Sequence, residues 1–129
     1  MAEVLEFRNP RVDRGRCAYL SGLAAEETVV RHYDRLGAEV MHCRFRGAGA
    51  EIDLIFREGA TLVFVEVKAA PTFDQAAHRV RWSQLHRIMR AAEAYAAQQG
   101  GLPPPMRIDV ALVDGQGMVQ ILENVSMAA

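Results

Sequence analysis

Residues 50–68 read AEIDLIFREGATLVFVEVK, two extended runs separated by a Glu58-Gly59 turn, and this stretch decides the fold. Both arms are rich in the β-branched and aromatic residues that suit a pleated, half-buried surface. In the second arm the period of two places Val63, Val65 and Val67 on one face and Leu62, Phe64, Glu66 and Lys68 on the other. A two-residue Glu58-Gly59 turn pairs Arg57 with Ala60, setting Asp53 opposite Phe64 and Glu51 opposite Glu66. Glu51, Asp53, Glu66 and Lys68 then converge on one side of the hairpin. A register shifted by two keeps them together, whereas a shift of one breaks the cluster.

Three carboxylates facing one another across neighbouring strands repel, which weakens a sheet unless something positive sits among them. A hard divalent cation such as Mg²⁺ (or Mn²⁺) takes oxygen ligands, usually one or two carboxylates with waters and substrate phosphate oxygens. Asp53 and Glu66 supply that set, with Lys68 beside it and Glu51 as a secondary acid. An ordinary ion-pair network would account for the same residues.

Working outward, Ser21 is a good N-cap for a helix over 22–36, with Gly37 as its stop. On that helix Leu23, Val29, Val30, Tyr33 and Leu36 form the apolar stripe and Glu26 lies in its middle. A carboxylate on a core-facing stripe is costly unless paired or bound to a metal, so Glu26 is expected to reach toward Lys68 or the cation. A strand over 39–46 precedes the hairpin strands at 51–57 and 61–68, with Gly47 and Gly49 in the intervening turn. A loop over 69–78 containing Pro71 leads to a second helix, where Leu85, Ile88, Met89, Ala92 and Tyr95 recur at a period of 3.6. Trp82 and Tyr95 read as core on the same spacing. After Gly100-Gly101 and three prolines come strands at 106–113 and 118–122.

The expected fold class is α/β, in the order α-β-β-β-α-β(-β), with a mixed sheet flanked by helices because a strand–helix–strand crossover makes its strands parallel. Residues 1–20 read as an arm, 21–122 as a single domain and 123–129 as a tail.

The chain has 129 residues, half of them apolar, which is one domain's worth of core. No apolar run approaches the roughly 20 residues of a membrane span, and no signal pattern opens the sequence, so no membrane association is expected and the cytoplasm is the default. Cys17 and Cys43 are read as lone thiols, against a disulfide scaffold or zinc ribbon. Net charge is -1, so overall charge does not advertise nucleic-acid binding. Its distribution says more: Lys68 is the sole lysine, every other basic residue is Arg, and between Gln75 and Ala92 lie Arg79, Arg81, Arg87 and Arg90 with no acid.

Taken together, Glu26, Ala50-Glu51-Ile52-Asp53-Leu54-Ile55, Val63-Phe64-Val65-Glu66-Val67-Lys68 and Arg107-Ile108-Asp109-Val110 resemble the uncharacterised bacterial YraN-like family. That family is similar to restriction-endonuclease-like nucleases with a PD-(D/E)xK site, including Holliday-junction resolvases. The resemblance spans 22–113 and implies a restriction-endonuclease-like core and a Mg²⁺-dependent endonuclease acting on nucleic acid, DNA first, as a homodimer by analogy with resolvases. It implies Asp53, Glu66 and the Val67 carbonyl as metal ligands, Glu26 as an additional helix acid and Lys68 as the catalytic lysine. Arg44, Arg46, Gln84 and Arg87 become candidates for nucleic-acid contact. The chain departs from the family pattern at Ala50, at Arg44 and Arg46 in place of an Asn-x-Arg, at Ala70 and at Gln84, all of which bear on substrate contacts rather than on the metal site. A catalytically inactive nucleic-acid-binding or protein-interaction module on the same fold is the competing expectation.

Overall fold

The hairpin forms the middle of the sheet. In the computed structural model, which describes residues 24–125, the elements are α1 (Ala24–Arg35), β1 (Glu39–Gly47), β2 (Ala50–Glu58), β3 (Thr61–Ala69), α2 (Phe73–Ala77), α3 (Trp82–Gln98), β4 (Met106–Val113) and β5 (Val119–Leu122). Five strands make one open sheet in the order β1-β2-β3-β4-β5. β1, β2 and β3 pair antiparallel, β3 and β4 parallel across the helical crossover, and β4 and β5 antiparallel. The architecture is therefore mixed α/β, an open sheet flanked by helices. The proposed start of the first helix at Ser21 lies outside the described residues.

Each face of the sheet has its own apolar layer. Val29, Val30 and Tyr33 of α1 pack with Leu54, Phe56, Val63, Val65 and Ala111. On the other side Leu85, Ile88, Ala92 and Tyr95 of α3 pack with Ile55, Phe64, Ile108, Val110 and Leu112. The alternation read from β3 thus sorts its residues between two helices.

Four readings are corrected. The tight turn is Gly59-Ala60, flanked by the Glu58–Thr61 pair, not Glu58-Gly59. Gly59 carries the positive φ (60°) that the first loop residue of such a turn favours. The register consequently differs by two from the expected one, bringing Asp53 rather than Glu51 level with Glu66. A short helix, α2, interrupts the expected loop, nucleated by the Thr72 hydroxyl, which accepts the Gln75 amide at 3.1 Å. Leu36 and Trp82 are exposed rather than core, Leu36 just past the end of α1 and Trp82 at the start of α3. Cys43 is disulfide-bonded rather than a lone thiol; the chain's other cysteine, Cys17, lies outside the described residues.

Candidate functional site

The β2–β3 ladder runs from Glu58–Thr61 to Leu54–Val65 and stops there. Two residues beyond Val65 the Val67 amide donates to the Asp53 side chain, to Oδ2 at 2.8 Å, instead of to a strand carbonyl. Two strands that part in this way leave room between them for side chains. The Asp53 carboxyl enters that room.

Glu66 is 4% exposed, and its Oε2 is held from two sides, by Gln84 Nε2 at 2.7 Å and by Lys68 Nζ at 3.1 Å. Lys68 Nζ also donates to Gln84 Oε1 at 3.0 Å, closing a three-membered ring of polar groups. Glu66 Oε1 is buried and meets no donor. The Asp53 and Glu66 carboxyls are near enough for their protonation to be linked. Burial, and then the charge of Asp53, push Glu66 up to about 7 against the pull of Lys68. Burial also raises Asp53, opposed by the Val67 amide and Lys68, with Glu51 adding to the rise. Paired carboxylates of this kind favour a shared proton or a cation over two bare charges.

A cleft of about 260 Å³ opens onto the pair, lined by Gly49, Ala50, Glu51, Asp53, Glu66, Gln84, Arg87 and Ile88. Gln84 and Arg87, three residues apart on one flank of α3, are therefore at the carboxylates. Arg46 is exposed and pairs across the strand with Glu51, and with it borders an adjoining hollow. Arg44 is exposed and falls between the Cys43–Leu54 and Phe45–Ile52 pairs, abreast of Asp53, with a left-handed backbone (φ 56°).

Glu26 is buried on α1, as its place on the apolar stripe requires. α1 covers the Val63 and Val65 face, whereas Glu66 and Lys68 alternate to the other. No group of three or more His, Cys, Asp or Glu side chains able to hold a metal exists among the described residues. The two-carboxylate set Asp53 and Glu66 nonetheless suits Mg²⁺, which binds through one or two carboxylates and completes its shell with water and phosphate. The partnerless buried oxygen of Glu66 is the feature of this site that such an ion would satisfy.

A second polar cluster went unread in the sequence. Asp109, fully buried, accepts the Tyr33 hydroxyl at 2.7 Å, Arg107 Nε at 3.2 Å and the Asn124 amide at 2.9 Å. Arg107 also pairs with Glu58 at 3.0 Å. This network ties α1, β2, β4 and the segment after β5 together on the face away from the cleft. Arg107-x-Asp109, two charges on one face of an otherwise apolar strand, was the signal that could have found it.

Fold and site together define a class: a mixed α/β protein whose open five-stranded sheet carries a buried carboxylate pair beside a lysine where two central strands part. The chain belongs to the uncharacterised protein family UPF0102, which matches residues 25–113. It is 48% identical to a UPF0102 protein of Roseobacter denitrificans over 90% of this chain and 91% of that one. A UPF0102 protein of Ruegeria pomeroyi is 46% identical over 86% and 91%, and one from Ruegeria sp. (strain TM1040) 43% identical over 86% and 90%. No helix among the described residues is long and apolar enough to cross a membrane.

Proposed function

We propose that the protein is a divalent-cation-dependent endonuclease of the restriction-endonuclease-like class, acting on nucleic acid and on branched or otherwise structured DNA first. The observation that carries this reading is the buried Asp53–Glu66 pair beside Lys68 at the point where β2 and β3 separate. Asp53 and Glu66 would hold Mg²⁺ or Mn²⁺. The Val67 carbonyl is a third candidate, because the N–H and C=O of one residue in an extended strand point the same way, and the Val67 N–H points at Asp53. An ion held there would supply positive charge to a scissile phosphate and acidity to a water.

Lys68 keeps its ammonium within reach of Glu66 and can orient a water or stabilise charge developing on the phosphate. Arg87 lines the same cleft and would receive a phosphate group, with Arg44 and Arg46 of β1 as further cationic contacts. Glu26 takes no part in this reading. A second reading, a nucleic-acid-binding or protein-interaction module that keeps the ion site without turnover, is favoured by the net charge of -1, low for a protein that must grip a polyanion.

Incubation of the full chain with Mg²⁺ or Mn²⁺ and branched, single-stranded and duplex DNA, and with RNA, separates the two. Ion-dependent cleavage of any DNA, abolished by Asp53→Asn and Glu66→Gln, supports the nuclease. Ion binding with no cleavage of any substrate supports the module.

A further inference from the structure

Gln84 is engaged at both ends of its amide. Its Oε1 accepts from Lys68 Nζ at 3.0 Å and its Nε2 donates to Glu66 Oε2 at 2.7 Å. Only one orientation of the amide works, because the flipped one would set NH₂ against an ammonium and C=O against a carboxylate. The side chain comes from α3, whereas Glu66 and Lys68 are both on β3, so the ring couples the helix to the strand that carries the site. Chemistry restricts the position tightly. A carboxylate here would accept from Lys68 but repel Glu66, and an ammonium would donate to Glu66 but repel Lys68.

We propose that Gln84 is the positioning residue of this site. By holding Lys68 Nζ and Glu66 Oε2 together, it fixes both side chains and leaves Glu66 Oε1, which has no donor of its own, as the oxygen offered toward Asp53 and a divalent cation. Gln84 is thereby occupied with the protein's own groups rather than reserved for nucleic acid. The part of the proposal that concerns the cation rests on the reading given under Proposed function; the part that concerns Lys68 does not.

The chain's single lysine makes the test direct, because ¹⁵N-lysine labelling yields one side-chain ammonium resonance, that of Lys68. Full-length wild type, Gln84→Met and Gln84→Glu are compared by the solvent-exchange rate of that ammonium and by its response to Mg²⁺, with circular dichroism and melting as the check on folding. Wild type should show a slowly exchanging resonance. Gln84→Met, which keeps the bulk and loses both bonds, should exchange at least tenfold faster and bind Mn²⁺ about tenfold more weakly in calorimetry. Gln84→Glu keeps the acceptor and should keep the slow exchange, a rescue that a merely space-filling role would not produce. A Gln84→Met protein with wild-type exchange would overturn the proposal. If wild type binds neither Mg²⁺ nor Mn²⁺, the cation reading fails, and the exchange rates still decide whether Gln84 holds Lys68.

Discussion

Asp53 accepts the backbone amide of Val67 at 2.8 Å, just beyond the last paired residues of the β2–β3 ladder, Leu54 and Val65. A side chain has taken the place of a ladder carbonyl, so the two strands separate without leaving that amide unsatisfied. The same bond fixes one Asp53 oxygen.

The paired carboxyls make stability depend on pH. Glu66 is raised from an ordinary 4.5 to about 7, so between those values the folded protein binds more protons than the unfolded chain. The contribution of Glu66 to stability therefore falls as pH rises through this window. The melting temperature of the ion-free protein should decline from pH 5 to pH 8, and Asp53→Asn, which removes the repelling charge, should flatten the decline. Differential scanning fluorimetry in buffers of matched ionic strength reads both; an equally steep decline in the variant would show that Asp53 does not act on Glu66.

Lys68→Arg is the substitution most informative about catalysis. The chain uses Arg at every other basic position, and the Lys68 ammonium is held at 3.1 Å from Glu66 and 3.0 Å from Gln84. A guanidinium is a wide planar fork and cannot occupy that point without displacing one partner. The variant should fold and retain nucleic acid in a filter-binding assay, while ion-dependent cleavage drops by about 10²-fold or more. Equal cleavage by the two proteins would reduce Lys68 to a surface charge.

The hairpin turn joining β1 and β2 carries a correctable strain. Ala48 and Gly49 adopt φ of 52° and 78°, and the left-handed region costs a residue with a Cβ roughly 1 kcal/mol. Ala48→Gly should stabilise the protein by about 0.5–1 kcal/mol, a rise of about 2–6 °C in melting temperature, without changing Mn²⁺ affinity. A lower melting temperature would mean that the added freedom of the unfolded chain outweighs the relieved strain.

Tyr33→Phe separates fold from site. Loss of the hydroxyl removes one of the donors to the fully buried Asp109 and should cost about 1–3 kcal/mol in urea unfolding. Asp109 lies on the opposite face from the cleft, so ion binding by the folded variant should match wild type; a weaker affinity would reveal coupling between the two faces.

Period-two alternation was enough to place Asp53, Glu66 and Lys68 on one side of the hairpin, because a register error of two leaves faces unchanged. The same pattern could not show that pairing ends at Leu54–Val65, since that depends on a side chain outcompeting a backbone carbonyl for the Val67 amide. Glu26 illustrates a different limit. A helical wheel identifies a buried stripe, and Glu26 is buried, yet a wheel carries no information on which sheet face receives the helix. Gln84 was noticed only as a candidate for nucleic-acid contact, because the azimuth of α3 over β3 is set by packing of Leu85 and Ile88 rather than by any local signal. The capping pattern Thr72-x-x-Gln75 is the local signal for α2, but five residues just past Pro71 are too few for periodicity to register, and the stretch reads as a loop.

Calorimetric titration of Mn²⁺ into the full chain, beside the Asp53→Asn variant, tests the central claim that the carboxylate pair is a divalent-cation site. One ion should bind per wild-type chain, and the variant, with its fold intact, should lose at least tenfold in affinity. An absence of binding by the wild type, or the same affinity in both proteins, would contradict it.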